Sequence, residues 1–239
     1  PFTFGSSPWP KNEDDTYHGL TNILTAMKRS TNTVAVKVLD DVGLDYAYHY
    51  AVDDMHLDTL VDEYELNGVS YTDKSYWSLA LGGMVRGVTI RDMAAAYASI
   101  ENKGTYREAR TYTKVLDSDG NVVLDNTQTS NENMSEKTAY YLTYMMEETV
   151  KDGTGTEAQV AGFDTAGKTG TTSDDKDRWF AGYTSYYTGV VWCGYDQPQE
   201  IVLEDDSIEN PASVLFNKVM TKIHDGKTNK AFEKPTSVV

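Results

Sequence analysis

The 239-residue chain is short of cysteine, of cations and of long apolar runs, and each shortage excludes something. Cys193 stands alone, so neither an internal disulfide nor a cysteine metal cluster can form. No stretch approaches the roughly 20 apolar residues of a membrane span. The opening PFTFGSSPWPKNEDD has no basic region followed by an apolar run, so it is not a signal peptide. It also lacks an initiating Met, and an aromatic, proline-rich loop at Pro1 reads as the middle of a longer protein. Lys and Arg number 21 against 37 Asp and Glu, a net charge of −16. That surface repels phosphate backbones and anionic lipid, which argues against nucleic-acid binding and against membrane contact by this fragment. No internal repeat or low-complexity tract divides the chain.

What is present is globular in composition, with 39% hydrophobic and 11% aromatic residues, enough for one large domain or two small ones. Residues 20–42 carry an interrupted helical pattern. Leu20, Ile23, Leu24 and Met27 make one apolar stripe; Ala35, Val38, Leu39 and Val42 make another, stopped by Gly43. The polar break at residues 29–33 predicts a side-chain cap for the second helix. Thr89 with Asp92 opens a further helix, whose face would be Ile90, Met93, Ala94, Tyr97 and Ile100. Another spans residues 135–151, with Tyr141, Leu142, Met145 and Thr149 on one side.

Residues 112–116 and 121–124 flank Asp119-Gly120, a hairpin turn signal. A second hairpin is expected from residues 178–184 and 188–195. Asn210-Pro211 starts a closing helix with Ala212, Leu215, Phe216, Val219 and Ile223 inward. Helices first, then strands, then a helix predict an α+β fold with an antiparallel sheet.

Three motifs compete for the function. Residues 162–169, GFDTAGKT, match the phosphate loop G-x-x-x-x-G-K-[ST] letter for letter. A nucleotide site needs a helix straight after it, whereas Gly170, Thr171, Thr172 and Ser173 are poor helix formers and Asp174-Asp175 repel phosphate. This reading is kept as an alternative. His49, Asp53 and His56, at i, i+4 and i+7, would share a helical face, but without a fourth ligand nearby they read as solvated surface, and no metal or cofactor is expected. The run Glu204-Asp205-Asp206 reads as an exposed loop.

The third signal is Lys168-Thr169-Gly170-Thr171 just ahead of a hairpin, with Ser30-Thr31-Asn32 upstream in a break between helices. The segments WPKNEDDTYHG at 9–19 and SLALGGMVRGVTIRDMAAAYASIENKG at 78–104 complete an ordered set. Together they resemble the transpeptidase domain of class A bifunctional penicillin-binding proteins, with their SxN and KTG elements, over nearly the whole chain. The resemblance implies the penicillin-binding protein and serine β-lactamase-like fold, in two parts. Residues 1–150 would be mainly helical and carry the SxN element; residues 151–226 would carry the KTG strand, hairpin and closing helix, with 227–239 as a tail.

The resemblance implies a D,D-transpeptidase that moves the acyl group of a D-Ala-D-Ala stem peptide onto a serine and then to an amine, cross-linking peptidoglycan, and that binds β-lactams. It implies that Ser30 relays a proton, Asn32 holds the substrate amide, and Lys168 supplies positive charge. Thr169 and Thr171 would bind the substrate carboxylate, the Thr171 N–H would serve the oxyanion, and Gly170 would admit the substrate to the strand edge. The family's nucleophile opens an SxxK motif ahead of SxN, and none of the residues before Ser30 makes Ser-x-x-Lys. Ser173 to Lys176 has the letters but comes after KTG in an acidic loop. The nucleophile and its helix are therefore expected before Pro1, and the fragment alone is expected to be inactive. Loss of that helix would uncover Ala35, Val38, Leu39 and Val42 and favour self-association or a companion N-terminal fragment. A parent with a glycosyltransferase domain, anchored on the outer face of a bacterial membrane, is implied; a non-catalytic interaction module is the other alternative.

Overall fold

The computed structural model describes residues 2–4, 7–205 and 207–238. Asp206 of the acidic run, like Pro1, lies outside them; Glu204 and Asp205 are exposed. The chain opens with a small hairpin, β1 (Phe2–Phe4) and β2 (Ser7–Trp9). Asn22 accepts a hydrogen bond from Thr25 N at 2.8 Å and starts α1 (Ile23–Lys28). After a three-residue break, α2 (Asn32–Val42) begins without a side-chain cap from Thr31, contrary to expectation. Asn12 supplies it from a distance: its Oδ1 accepts from Thr33 N at 3.1 Å and Thr33 Oγ1 at 3.2 Å. Gly43, at φ +91°, turns the chain into α3 (Leu44–His49), which runs on as a π turn over Tyr50–Asp54.

Then come β3 (Tyr64–Leu66) and β4 (Val69–Tyr71), α4 (Tyr76–Leu81) and α5 (Ile90–Glu101), the last capped by Thr89 at 3.0 Å from Asp92 N. β5 (Thr105–Arg107) is followed by the exposed hairpin β6 (Lys114–Leu116) and β7 (Val122–Asp125), and by β8 (Ser130–Glu132), which pairs with β5. Ser135 caps α6 (Glu136–Asp152). The main sheet is β9 (Ala166–Thr171), β10 (Asp177–Tyr183) and β11 (Thr188–Gly194), antiparallel in the order β11-β10-β9, and α7 (Pro211–Ile223) closes the fold.

Period-two alternation along β10 explains how both sheet faces are covered. Phe180 points one way, its ring 4.7 Å from that of Phe216 on α7, within a cluster that includes Val150, Val160 and Met220. Tyr183, three residues on, points the other way into a cluster with Ile100 of α5, Ala139 and Met146 of α6, and Ala166. Its hydroxyl meets Thr143 Oγ1 at 2.8 Å, so the buried phenol has a partner. The helical and strand-rich parts thus share a core. Residues 227–238 lie against it too, with Phe232 edge-on to Tyr183 and Glu233 paired to Lys103.

Several helix faces differ from the expected ones. On α7 the buried residues are Ala212, Ser213, Phe216 and Met220, while Leu215, Val219 and Ile223 are exposed. The helix is apolar on more than one side, and only the i, i+4, i+8 stripe reaches the sheet. On α5, Ala95, Ala96, Ser99 and Ile100 are buried while Ile90 is exposed; on α6, Tyr141 is exposed. On α2, Val36 and Leu39 are buried, Ala35 is half-buried, and Val38 and Val42 are 44% and 47% exposed. Leu39 is therefore covered by the chain itself, and only part of the stripe is uncovered. The accessible surface is 14462 Å², against about 10,700 Å² for a compact monomer of this mass.

Two sequence alternatives meet their geometry here. Lys168-Thr169 lies inside β9, and the next element is a short 3-10 turn over Ser173–Asp175, so among the described residues no helix N-terminus faces this loop. His49 and Asp53 are side by side at 3.4 Å, but His56 has left the helix at φ +53° and lies against Tyr106. Among the described residues no group of three or more His, Cys, Asp or Glu is disposed to hold a metal, and no helix is long and apolar enough to cross a membrane.

Candidate active site

The site is built where the outer strand of the sheet passes the break between α1 and α2. β9 pairs with β10 alone, Lys168 opposite Ala181 and Thr171 opposite Arg178, so its other edge has no strand neighbour among the described residues. Its glycines have different jobs. A Cβ on Gly167 would run into the Phe180 ring and lie 2.8 Å from Ala181 O, so that position is bare to let the core ring pack. A Cβ on Gly170 would meet only the Trp179 side chain, at 3.2 Å.

Ser30 occupies the break in the left-handed region, φ +53°, a conformation that L-residues with a Cβ rarely adopt. Two backbone hydrogen bonds hold it there: Ser30 N donates to Met27 O at 3.1 Å and Thr31 N to Ala26 O at 2.9 Å. The result is that its hydroxyl leaves the helix pair and meets Lys168. Lys168 Nζ donates to Ser30 Oγ at 2.8 Å and to Thr169 O at 2.9 Å. Burial of this amine lowers its pKa from 10.5 to about 8, partly opposed by the negative charge of Glu13. A lysine in that state is a proton-transfer group as well as a cation.

Around the pair is a groove of about 420 Å³ that includes Ser30, Asn32, Thr154, Thr169, Thr171 and Arg178. Thr169 Oγ1 shares a 2.7 Å hydrogen bond with Thr154 Oγ1. Asn32 Nδ2 donates to Lys11 O at 2.9 Å, which ties the residue 9–19 loop to α2. Thr171 is exposed, with Arg178 Nη1 3.4 Å from its hydroxyl. Past Ser30 the groove continues into a second cleft, where Lys28 pairs with Asp152 at 2.7 Å. Ser173 also reaches the groove, but Lys176 points to Asp174 at 3.0 Å.

The structure therefore brings Ser30, Asn32, Thr169 and Thr171 to one groove, with the Lys168 amine on Ser30, and leaves Gly170 as bare strand behind them. Sequence reasoning passed over Asn12, Thr154 and Arg178. Asn12 stands within the 9–19 segment, Thr154 comes just after α6, and Arg178 opens the hairpin strand; only folding puts them beside the site. Chemically the arrangement offers a coupled amine and hydroxyl for proton transfer, a free strand edge for an extended backbone, and donors for a carboxylate.

Comparison with known proteins points the same way. The family model for the penicillin binding protein transpeptidase domain matches residues 1–221. Penicillin-binding protein 1A of Clostridium botulinum is 34% identical over 239 residues, all of this chain and 27% of that protein. The chain thus spans about a quarter of the length of such relatives. The solved penicillin-binding protein PonA1 of Mycobacterium tuberculosis superposes with a TM-score of 0.75 at 26% identity, covering 100% of this chain and 65% of that one. Penicillin-Binding Protein 1A of Haemophilus influenzae shares the fold at a TM-score of 0.76 and 18% identity, over 100% of this chain and 40% of its own. A family match over residues 1–221, with the same helices and sheet in solved relatives, makes this chain a member of the penicillin-binding protein transpeptidase family.

Proposed function

We propose that these residues form the SxN and KTG part of a serine-type D,D-transpeptidase that cross-links peptidoglycan stem peptides and is acylated by β-lactams. The observation that carries the reading is the 2.8 Å contact between Lys168 Nζ and Ser30 Oγ, which joins groups 138 residues apart at the open edge of the sheet. The nucleophile in this reading is a serine of an SxxK motif outside residues 1–239. Its Oγ attacks the penultimate D-Ala carbonyl as its proton passes to the lysine of that motif, and the resulting tetrahedral oxyanion accepts from the Thr171 N–H; each such donor contributes a factor of ~10²–10³ in rate. Collapse breaks the peptide bond and expels D-Ala, whose amine takes a proton from Ser30, itself resupplied by Lys168. An acceptor amine then attacks the acyl ester and gives up a proton to Ser30 and on to Lys168, while the leaving serine oxygen recovers its own proton from the SxxK lysine.

Asn32 holds the acyl-side amide, Thr169 and Thr171 bind the terminal carboxylate, and Gly170 lets the substrate lie as an added strand. The full-length protein acts outside the cytoplasm, anchored by a segment beyond these residues and joined to a glycosyltransferase domain. Its partners are stem peptide and β-lactam antibiotics; the chain's own partner is its N-terminal segment or a second copy.

Intact mass after incubation with benzylpenicillin tests this. The natural full-length protein is expected to gain one adduct and the 239-residue chain none. A full-length protein that stays unmodified overturns the transpeptidase reading in favour of a non-catalytic module. An adduct mapped to a serine within residues 1–239 overturns the placement of the nucleophile.

A further inference from the structure

We infer that Arg178 is the permanent cation that recognises the carboxylate of the donor peptide or β-lactam, with Thr171, while Lys168 is left to move protons. The inference rests on the transpeptidase reading and assigns a residue to it.

Arg178 opens β10 directly across the ladder from Thr171, so its side chain emerges beside the last residue of the KTG strand. It is one of the groove-lining residues although its side chain is only 16% exposed. Its fork is only partly used. Nη2 meets Asp175 Oδ1 at 3.1 Å, Nη1 reaches Thr171 Oγ1 at a long 3.4 Å, and the buried Nε has no hydrogen-bond partner among the described residues. Nη1 is thus held only weakly, and a planar anion entering between Arg178 and Thr171 would take up that under-used donor.

A purely structural role, as a clasp on the loop at residues 172–177, accounts for the Asp175 contact. It leaves the reach of Nη1 toward Thr171 without a purpose. The charge balance makes the same point. The groove lining holds Glu13, Asp174, Asp175 and Glu209, and among the described residues Arg178 is the one cation in it. An anionic ligand entering against four carboxylates needs a positive charge at its landing point, and a guanidinium offers that charge in a flat fork matched to a carboxylate. The Lys168 amine, already committed to Ser30 and Thr169 O, faces the proton-transfer step instead.

The test compares benzylpenicillin with its methyl ester on the natural full-length protein, reading the acylation rate constant for each. Wild type is expected to prefer the free carboxylate, and Arg178→Ala to shrink that preference ~10–100-fold, the worth of a charge-assisted hydrogen bond. Arg178→Lys should recover part of it, since it keeps the charge and loses the fork. Arg178→Gln, which keeps a donor for Asp175, carries the same test if the alanine variant does not fold. An acid-to-ester ratio unchanged in the neutral variants overturns the inference and leaves the transpeptidase reading intact. A wild type that reacts with neither probe overturns both.

Discussion

Thr154 and Thr169 meet hydroxyl to hydroxyl at 2.7 Å, so the first residue past Gly153 at the end of α6 holds the central residue of the KTG strand. Thr154 N also donates to Lys28 O at 3.1 Å, the last residue of α1. One residue therefore joins the three elements that frame the groove. Thr154→Val, which keeps the shape and removes the hydroxyl, should leave the melting temperature within a few degrees while slowing acylation of the full-length protein by benzylpenicillin ~10-fold, the worth of one hydrogen bond. An unchanged acylation rate would show the contact to be idle.

Stability should carry the signature of the Lys168 amine. The native value of about 8 lies below the ordinary 10.5, so between those values the unfolded chain binds more protons than the folded one. The burial cost is present in full below about pH 8 and vanishes above about 10.5, and stability from this group rises across that window. Urea midpoints measured from about pH 7.5 to 10.5 should rise in wild type relative to Lys168→Met, whose side chain has nothing to titrate. Parallel curves would contradict the burial of this amine.

Ser30→Gly separates the relay from the fold. Glycine accepts φ +53° without the steric cost that serine bears, and the gain is offset by its freer unfolded chain. Thermal unfolding of the chain is therefore expected to show the loss of little more than the Lys168–Ser30 hydrogen bond, ~1–3 kcal/mol. Transpeptidation by the full-length protein should fall ~10²-fold or more, the usual contribution of a positioned proton-transfer group.

The two KTG-strand glycines should part company. Gly167→Ala drives a methyl into Phe180 and Ala181 O, an overpacking worth ~1–3 kcal/mol of lost stability. Gly170→Ala meets only the Trp179 side chain and should fold with near wild-type stability, yet lose acylation if the substrate lies along this strand as proposed. Chemical denaturation of the chain and penicillin labelling of the full-length protein, on the same pair of variants, give both answers.

The isolated chain is expected to associate. Val38 and Val42 on α2 and Leu215, Val219 and Ile223 on α7 are exposed, and the accessible surface exceeds that of a compact monomer of equal mass. Light scattering behind size exclusion should give a mass above 26.6 kDa, the mass of one chain. A strictly monomeric elution at high concentration would show these faces to be tolerated by water.

Much of this was readable from residues because the signals were local. Thr89 caps the helix it was expected to cap, a helix follows Ser135 as expected, Asp119-Gly120 makes its turn, and residues 177–194 form the hairpin that their composition suggested. The failures came wherever a distant partner decides. The buried stripe of α7 is set by where the sheet lies, so Met220 went in and Leu215 stayed out. The cap of α2 comes from Asn12, 21 residues before the Thr33 that it serves. The candidate groups Ser30 and Lys168 were named from motif order, but the left-handed turn that aims the hydroxyl carries a serine, not the glycine that would have announced it. Arg178 was visible only as the start of a strand, since nothing in a sequence tells a buried guanidinium from a solvated one.

The outer strand of the sheet has a further consequence. An unpaired edge invites the edge of another molecule to continue the ladder, which is how sheets aggregate. Here the approach to β9 is flanked by Glu13, Asp174, Asp175 and Glu209, in a chain whose net charge is −16. Two copies brought edge to edge would set these carboxylates against each other, so the acidic rim acts as a gatekeeper. Association is thereby steered to the helix faces, away from the strand, and an edge that would otherwise seed stacking stays open, as the proposed binding of an extended peptide requires.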